Sequence, residues 1–309
     1  STLSSSSAAS DVYKRQWSGH DPDDDVLVYT VQVDVPGSDW VEPVVSEATG
    51  DVSHTPALPA DGTYVWRVRA HDGVEHGPWS PEWSFTLDTV APVATATGPA
   101  YSSSGTFGVT YDLDDGGGSP VQTVSLYYST DGGGTWSYHG DDDDVESPVE
   151  VTVADGTYGW YVVATDEAGN SGDDPSDGTT PQASTVVDTE APVASVTGPA
   201  YSSSHDFAVT YHADDTVPGS GVVSVTLHGT DDGGQAWSVY GTDLAVTGSV
   251  QVSVPADGTY GWYAVATDAA GNSGDDPSDG TAPQYTTTVD TVAPVVVATS
   301  PADGETGVY

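Results

Sequence analysis

The chain has 309 residues, with 47 acidic side chains against 4 basic ones and a formal charge of −43. That balance excludes nucleic acid as a partner, because binding phosphate needs Lys and Arg to displace counterions. Cys is absent, so there is no disulfide framework, thiol nucleophile or cysteine metal site, and no apolar run approaches the roughly 20 residues of a membrane-spanning helix.

A surface this acidic repels itself, and salt relieves the repulsion: the Debye length falls from about 8 Å at physiological ionic strength to about 3 Å at 1 M. The composition resembles that of proteins from salt-loving (halophilic) microbes, and equally that of acidic extracellular repeats from marine bacteria. At the start, "SSSSAASDVYKRQ", Ser4 to Gln16, resembles a translated sequencing adaptor of the kind found at the edges of metagenomic reading frames. Residues 1–16 are therefore expected to be a non-native or disordered leader, with Arg67 and Arg69 the only native bases and the chain a fragment. "DPDDD", Asp21 to Asp25, reads as a solvated turn or a cation-binding loop.

Beyond the leader the chain repeats itself. "DTVAP" begins at Asp88 and Asp290 and "DTEAP" at Asp188, while "GPAYSSS" occurs at Gly98 and Gly198 and "DGTYGWY" at Asp155 and Asp257. A period of about a hundred residues is that of one small β-sandwich. The expected division is 17–88, 89–188 and 189–290, with 291–309 the first strand and turn of a further domain.

The first repeat, 17–88, enters at Trp17 as if its first strand were lost. Arg67 and Arg69 alternate outward on a strand whose inner face carries Tyr64, Trp66, Val68 and Ala70, and Trp79 and Trp83 of "WSPEWS" are placed to stack on the two arginines. In the second repeat, Val-, Thr- and Tyr-rich segments between Gly, Pro and Asp clusters predict strands at Val93–Thr97, Thr106–Leu113, Gln122–Ser129, Thr135–His139, Val149–Ala154, Thr157–Thr165 and Ala183–Val187. The sixth puts Tyr158, Trp160, Val162 and Ala164 on one face, and the third repeat does the same with Tyr260, Trp262, Ala264 and Ala266. The fold class is all-β: tandem sandwiches in an elongated array.

"VDTEAPV" at the boundary, "YVVATDEAGN" leading out of the sixth strand and "YVWRVRAHDG" with "WSPEWSFTLDT" in the first repeat carry a resemblance to the immunoglobulin-like and fibronectin type III repeats of large bacterial and archaeal surface proteins of the adhesin type. The "DGTY" turn is similar to the corner at which immunoglobulin-like domains begin strand F. The resemblance implies a secreted or cell-surface location and a non-catalytic structural or adhesive role. The competing expectation is a set of accessory or carbohydrate-binding modules of a larger secreted hydrolase, with Trp40, Trp79, Trp83, Trp136 or Trp237 against sugar. Expected partners are other domains of the same protein, surface glycans or cell-surface proteins.

Chemistry is sparse. "STDGGGTW", Ser129 to Trp136, matches an Asp-box, in which Asp131 and Gly133 close a hairpin; "DDDD", Asp141 to Asp144, reads as a solvated loop. The histidines show no recurrent ligand spacing and no nucleophile elbow or phosphate loop is present, so an enzyme is not expected.

Calcium is the one cofactor the sequence suggests, since it takes six to eight oxygen ligands in tolerant geometry. "TDEAGNSGDDPSDGT", Thr165 to Thr179, and its copy from Thr267 to Thr281 hold the only two asparagines, Asn170 and Asn272. Asp88, Asp166 and Asn170 are expected to share a cation where repeats one and two join, and Asp188, Asp268 and Asn272 one repeat later. The alternative is a turn alone, because Asn and Gly tolerate left-handed backbone and Asp closes Asx turns.

Overall fold

A computed structural model of the chain describes residues 14–22 and 25–297, and all of their regular structure is β. The chain divides into two compact units: residues up to Gly98 with Val109–Val149 and Gly159–Ala183, and Pro99–Gly108 with Glu150–Tyr158 and the residues from Ser184 onward. The division runs through the middle repeat.

In the first unit, the first repeat forms β1 (Arg15–Gln16), β2 (Val28–Asp34), β3 (Val45–Thr49), β4 (Ser53–His54), β5 (Gly62–His71) and β6 (Trp83–Leu87). Strands β3-β2-β5-β6 make one sheet and β1-β4 a short second one. Period-two alternation on β2 and β5 turns Tyr29, Val31, Val33, Tyr64, Trp66 and Val68 onto a common core, closed by Trp17 edge-on to Tyr29 at 5.6 Å.

Among the described residues, strand structure begins at Arg15, within the stretch expected to be leader. Burying Trp17 draws the preceding backbone onto Ser53 and His54, and the Arg15 guanidinium lies 3.6 Å over the Phe85 ring. Residues 1–13 of the expected leader, and Asp23 and Asp24 of "DPDDD", lie outside the described residues.

The arginine ladder forms with a changed partner. Arg67 lies between Trp40 at 4.2 Å and Trp79 at 4.3 Å, Arg69 meets Trp79 at 4.5 Å, and Arg67 donates to Gln32 Oε1 from Nε and Nη2 at 3.0 and 2.7 Å. Trp83 does not join it. It is the ladder partner of Trp66, and cross-strand partners share a face, so its ring turns inward to 4.9 Å from that of Trp66.

The middle repeat contributes β7 (Val93–Thr97), β8 (Tyr101–Ser102), β9 (Thr106–Asp114), β10 (Val121–Ser129), β11 (Ser137–Asp142), β12 (Val149–Thr152), β13 (Gly156–Asp166) and β14 (Ala183–Val187). Two of the seven expected strands match to the residue. The fourth begins at Ser137 rather than Thr135, because the Asp131 carboxylate takes hydrogen bonds from both the backbone and the hydroxyl of Thr135 and keeps it in the turn. Strand β8, two residues in parallel register with Val186 and Val187, is too short to leave a periodic signal.

The third repeat lies wholly in the second unit: β15 (Val193–Thr197), β16 (Tyr201–Ser202), β17 (Asp206–Asp214), β18 (Val222–Thr230), β19 (Ser238–Asp243), β20 (Thr247–Ser253), β21 (Gly258–Asp268) and β22 (Tyr285–Val289). A three-stranded sheet, β15-β17-β20, faces a five-stranded one, β16-β22-β21-β18-β19. Phe207, Val209, Tyr211 and Val252 from the first meet Leu227, Tyr260, Trp262 and Ala264 from the second in one core. Trp262 is fully buried, its ring edge-on to Phe207 and Tyr240 and its Nε1 donating to Thr287 Oγ1 at 3.2 Å. No strand forms over 291–297, where a further first strand is expected: that stretch has no ladder partner among the described residues, and 298–309 lie outside them.

Two side-chain devices recur. Tyr64, Tyr158 and Tyr260 each donate a phenol hydrogen bond to the carbonyl four residues back, at Ala60, Ala154 and Ala256 (2.7, 3.1 and 2.9 Å), which fixes the corner before each long strand. Gln182 works as a piece of surrogate backbone: its Oε1 accepts from Ala96 N and Val162 N, both at 2.9 Å, and its Nε2 donates to Ala94 O at 3.0 Å. Gln284 does the same between Ala264 and Ala194.

Candidate functional site

The Asp-Thr dipeptides at 88–89 and 188–189 of the recurring "DTxAP" motif each act as a two-sided clasp, and the one at 290–291 shows the backward half. The Thr reaches back: Thr89 donates from N and Oγ1 to the Asp61 carboxylate at 3.0 Å, and Thr189 and Thr291 make the same hydroxyl bond to Asp155 and Asp257. Those three aspartates open the "DGTY" corners, so the corner motif and the linker motif hold one another.

The Asp reaches forward. Asp88 is 1% exposed, and its Oδ2 accepts from Ser119 N and Ser119 Oγ at 2.6 and 2.8 Å while Oδ1 accepts from Val90 N at 3.1 Å. Asn170 Nδ2 donates to Asp88 O at 3.1 Å and to Asp166 Oδ2 at 2.8 Å, and Asn170 N donates to Asp166 Oδ1 at 2.9 Å. Ser119 Oγ in turn accepts from Ala168 N at 3.2 Å. These donors, the Ser119 amide foremost, hold the Asp88 carboxyl below its ordinary value against the opposing effect of burial.

The second unit repeats the arrangement. Ser220 N donates to Asp188 Oδ2 at 2.7 Å, Asn272 Nδ2 to Asp188 O and Asp268 Oδ2 at 2.8 Å each, and Asn272 N to Asp268 Oδ1 at 2.8 Å. Burial pushes Asp188 up, but the Ser220 hydroxyl and amide and the Glu190 amide outweigh it, so the group stays below its ordinary value. All six residues expected to gather do so, in two sets of three: Asp88 with Asp166 and Asn170, and Asp188 with Asp268 and Asn272. The two asparagines serve as donors that tie the linker carbonyl to the loop, and the Asp166 and Asp268 carboxylates accept from them.

One participant escapes the motif-by-motif reading. Asp215, in "YHADD", brings a carboxylate oxygen within 4.8 Å of ones from Asp188 and Asp268, both of which are buried. Its counterpart by repeat alignment is Asp115 in "YDLDD". The repeated Asp-Asp pair after the second long strand is the signal that could have found it. Three carboxylates this close repel one another, and a hard divalent cation with oxygen preference suits such a set.

The rest of "TDEAGNSGDDPSDGT" docks onto the Asp-box hairpin. Gly178 N donates to Gly133 O at 2.8 Å, and Tyr127 Oη donates to Asp174 Oδ1 at 2.8 Å. Burial first, then that carboxylate, push the Tyr127 phenol up to about 12, so it remains a donor. In the third repeat Gly280 N donates to Gly234 O at 2.7 Å, and His228 Nε2 lies 3.4 Å from Asp276. The hairpin closes as its sequence predicts: Asp131 Oδ1 accepts from Ser129 Oγ and Thr135 N, both at 2.8 Å. Of "DDDD", Asp141 and Asp142 end β11 instead of lying in a loop, and Asp142 accepts from Tyr111 Oη at 2.6 Å.

The tryptophans considered for sugar are engaged with protein. Trp40 and Trp79 cover the two faces of Arg67, Trp83 packs on Trp66, and Trp136 and Trp237 stand edge-on to Tyr161 and Tyr263 at 5.7 and 5.9 Å. No helix is long and apolar enough to cross a membrane among the described residues.

No protein-family model matches the chain, and no curated protein does. Similar solved structures include the three N-terminal domains of the highly immunogenic outer capsid protein Hoc of bacteriophage RB49, 11% identical over 91% of this chain and 94% of that one, with a TM-score of 0.43. The fibronectin(III)-like modules of Clostridium thermocellum CbhA are 16% identical over 64% of this chain and 93% of that one, with a TM-score of 0.36. Domains FN1–FN3 of chicken CNTN1 are 15% identical over 86% and 91%, with a TM-score of 0.30.

Proposed function

We propose that the chain is a non-catalytic segment of a secreted or cell-surface multi-repeat protein, a stalk whose repeats are joined by the Asp-Thr clasps and stiffened by calcium at them. The clasp is the observation that carries this reading. A linker whose two residues are each bound to a different repeat leaves little freedom at the boundary, and stiffness is what a stalk needs. Calcium would use the carboxylates of Asp188, Asp215 and Asp268 in one case, and of Asp88 and Asp166 in the other. The 47 acidic side chains, met by only 4 basic ones, support a cation as the missing counter-charge. On this reading the partners are neighbouring repeats, with glycans or cell-surface proteins engaged elsewhere in the full protein.

The test is thermal melting in low salt with chelator and with millimolar calcium, alongside small-angle scattering. Calcium is expected to raise the melting temperature of the wild-type chain, with a smaller rise after Asp166→Ala or Asp268→Ala. No calcium response in low salt rejects the metal. A scattering profile of one compact globule rejects the stalk.

A further inference from the structure

The loop after β5 in the first repeat stands where the later repeats carry the Asp166–Asn170 and Asp268–Asn272 loops, but with different chemistry. In the later repeats an isolated bridge closes the loop, Thr165 to Ser171 and Thr267 to Ser273, and the paired hydroxyls lie 3.1 Å apart in both. The first repeat keeps that backbone: Gly77 N donates to Ala70 O at 2.9 Å, as Gly172 N does to Ala164 O at 3.2 Å. Its bridge, however, joins His71 to His76, and the ring centroids are 4.3 Å apart. Two imidazoles replace two hydroxyls.

His20 and Asp21, from the segment leading into β2, line one cleft of about 260 Å³ together with His71, Asp72, Glu75 and His76. Three of the chain's 8 histidines thus border a single cleft in a protein of 309 residues. Asp72 is already engaged, its Oδ1 accepting from Val74 N and Glu75 N at 2.7 Å each, which holds the hairpin that presents the pair.

We propose that His71 and His76, with water completing the shell, form a binding site for a borderline divalent transition-metal ion such as zinc or copper(II). Imidazole nitrogen suits these ions, whereas calcium takes oxygen, so the substitution of Thr and Ser by His changes the class of ion the loop recruits. Both rings can offer a lone pair. Gly73 N donates to His71 Nδ1 at 3.0 Å, so this nitrogen is unprotonated, and a metal ion would replace one exposed hydrogen bond. Water fills the remaining positions.

The experiment is a calorimetric zinc titration of the whole chain in millimolar calcium, which keeps the carboxylates occupied. One micromolar site is expected, and the double variant His71→Thr, His76→Ser, which restores the side chains of the later repeats, should weaken it about tenfold or more. The same variant should leave the melting temperature in chelator unchanged. Should it lower that temperature, the single variant His76→Ser takes its place in the comparison. Copper(II) spin resonance is the second readout: nitrogen couplings from imidazole are expected in the wild type and lost in the variant. Zinc affinity equal in the two proteins, or copper spectra showing only oxygen ligation, overturns the proposal. Asp188→Asn, remote from the cleft, should leave zinc affinity unchanged.

Discussion

Asn170 binds the backbone of Asp88 across 82 positions of sequence, its Nδ2 donating to the Asp88 carbonyl at 3.1 Å while the same nitrogen reaches Asp166 Oδ2 at 2.8 Å. One side chain therefore ties the linker that enters a repeat to the loop that leaves its longest strand. Asn170→Ala strips donors from a carbonyl and from a buried carboxylate. In chelator it is expected to cost about 1–3 kcal/mol in urea unfolding. Asn170→Asp, which also adds a negative charge to the cluster, should cost more. A loss below about 0.5 kcal/mol for both would show that the clasp does not depend on this side chain.

Acid should loosen the clasps within a defined window. Asp88 and Asp188 are held below the ordinary carboxylate value, so the stability they contribute is present above the unfolded-state pKa, about 3.9, and is lost as pH falls through their lower folded values. Melting temperature in chelator is expected to be level from neutral pH to about pH 4–5 and to fall below that. The Asp88→Asn, Asp188→Asn double variant should start less stable and show a shallower acid fall. An equal fall would place the acid sensitivity elsewhere.

Gln182 substitutes for backbone where β7 and β13 leave polar groups facing each other. Gln182→Leu keeps the bulk but leaves Ala96 N, Val162 N and Ala94 O without these partners, and is expected to destabilise by about 2–4 kcal/mol. Gln182→Glu keeps the acceptor and loses the donor, so it should fall between Leu and wild type on the same urea curves. Leu no worse than Glu would contradict the backbone-surrogate role.

The docking of "DPSDGT" on the Asp-box hairpin demands glycine. Gly133 has φ +95°, and a Cβ there would lie 2.1 Å from Thr179 O. Gly169 has a similar φ of +89° with open space around the added carbon. Gly169→Ala is expected to cost the backbone term of about 1–2 kcal/mol, and Gly133→Ala that term plus displacement of the loop, about 1–3 kcal/mol more. Equal losses would mean that the loop moves aside freely.

The alternation of Tyr, Trp, Val and Ala along the long strands, and the Gly, Pro and Asp punctuation between them, were enough to define an all-β chain and the strands of the middle repeat. Local side-chain chemistry dictates both: period-two burial needs no knowledge of what lies opposite. That Asp88, Asp166 and Asn170 gather follows from the pole of the sandwich that the loop occupies, and the copied asparagines mark the place. What the sequence left undecided depended on partners distant along the chain. Trp83 turned inward because its ladder partner is Trp66, not because of its neighbours in "WSPEWS". Asp215 entered the carboxylate set because β17 ends beside the linker, and the short strands β1 and β8 exist only by virtue of the strands they pair with. The segment "TDEAGNSGDDPSDGT" shows both sides of this. Its turn chemistry is written in its own residues, while its constancy between copies follows from contacts at both ends, to the linker through Asp166 and Asn170 and to the hairpin through Asp174 and Gly178. Those contacts join residues tens of positions apart, and only tertiary packing brings them within hydrogen-bonding range.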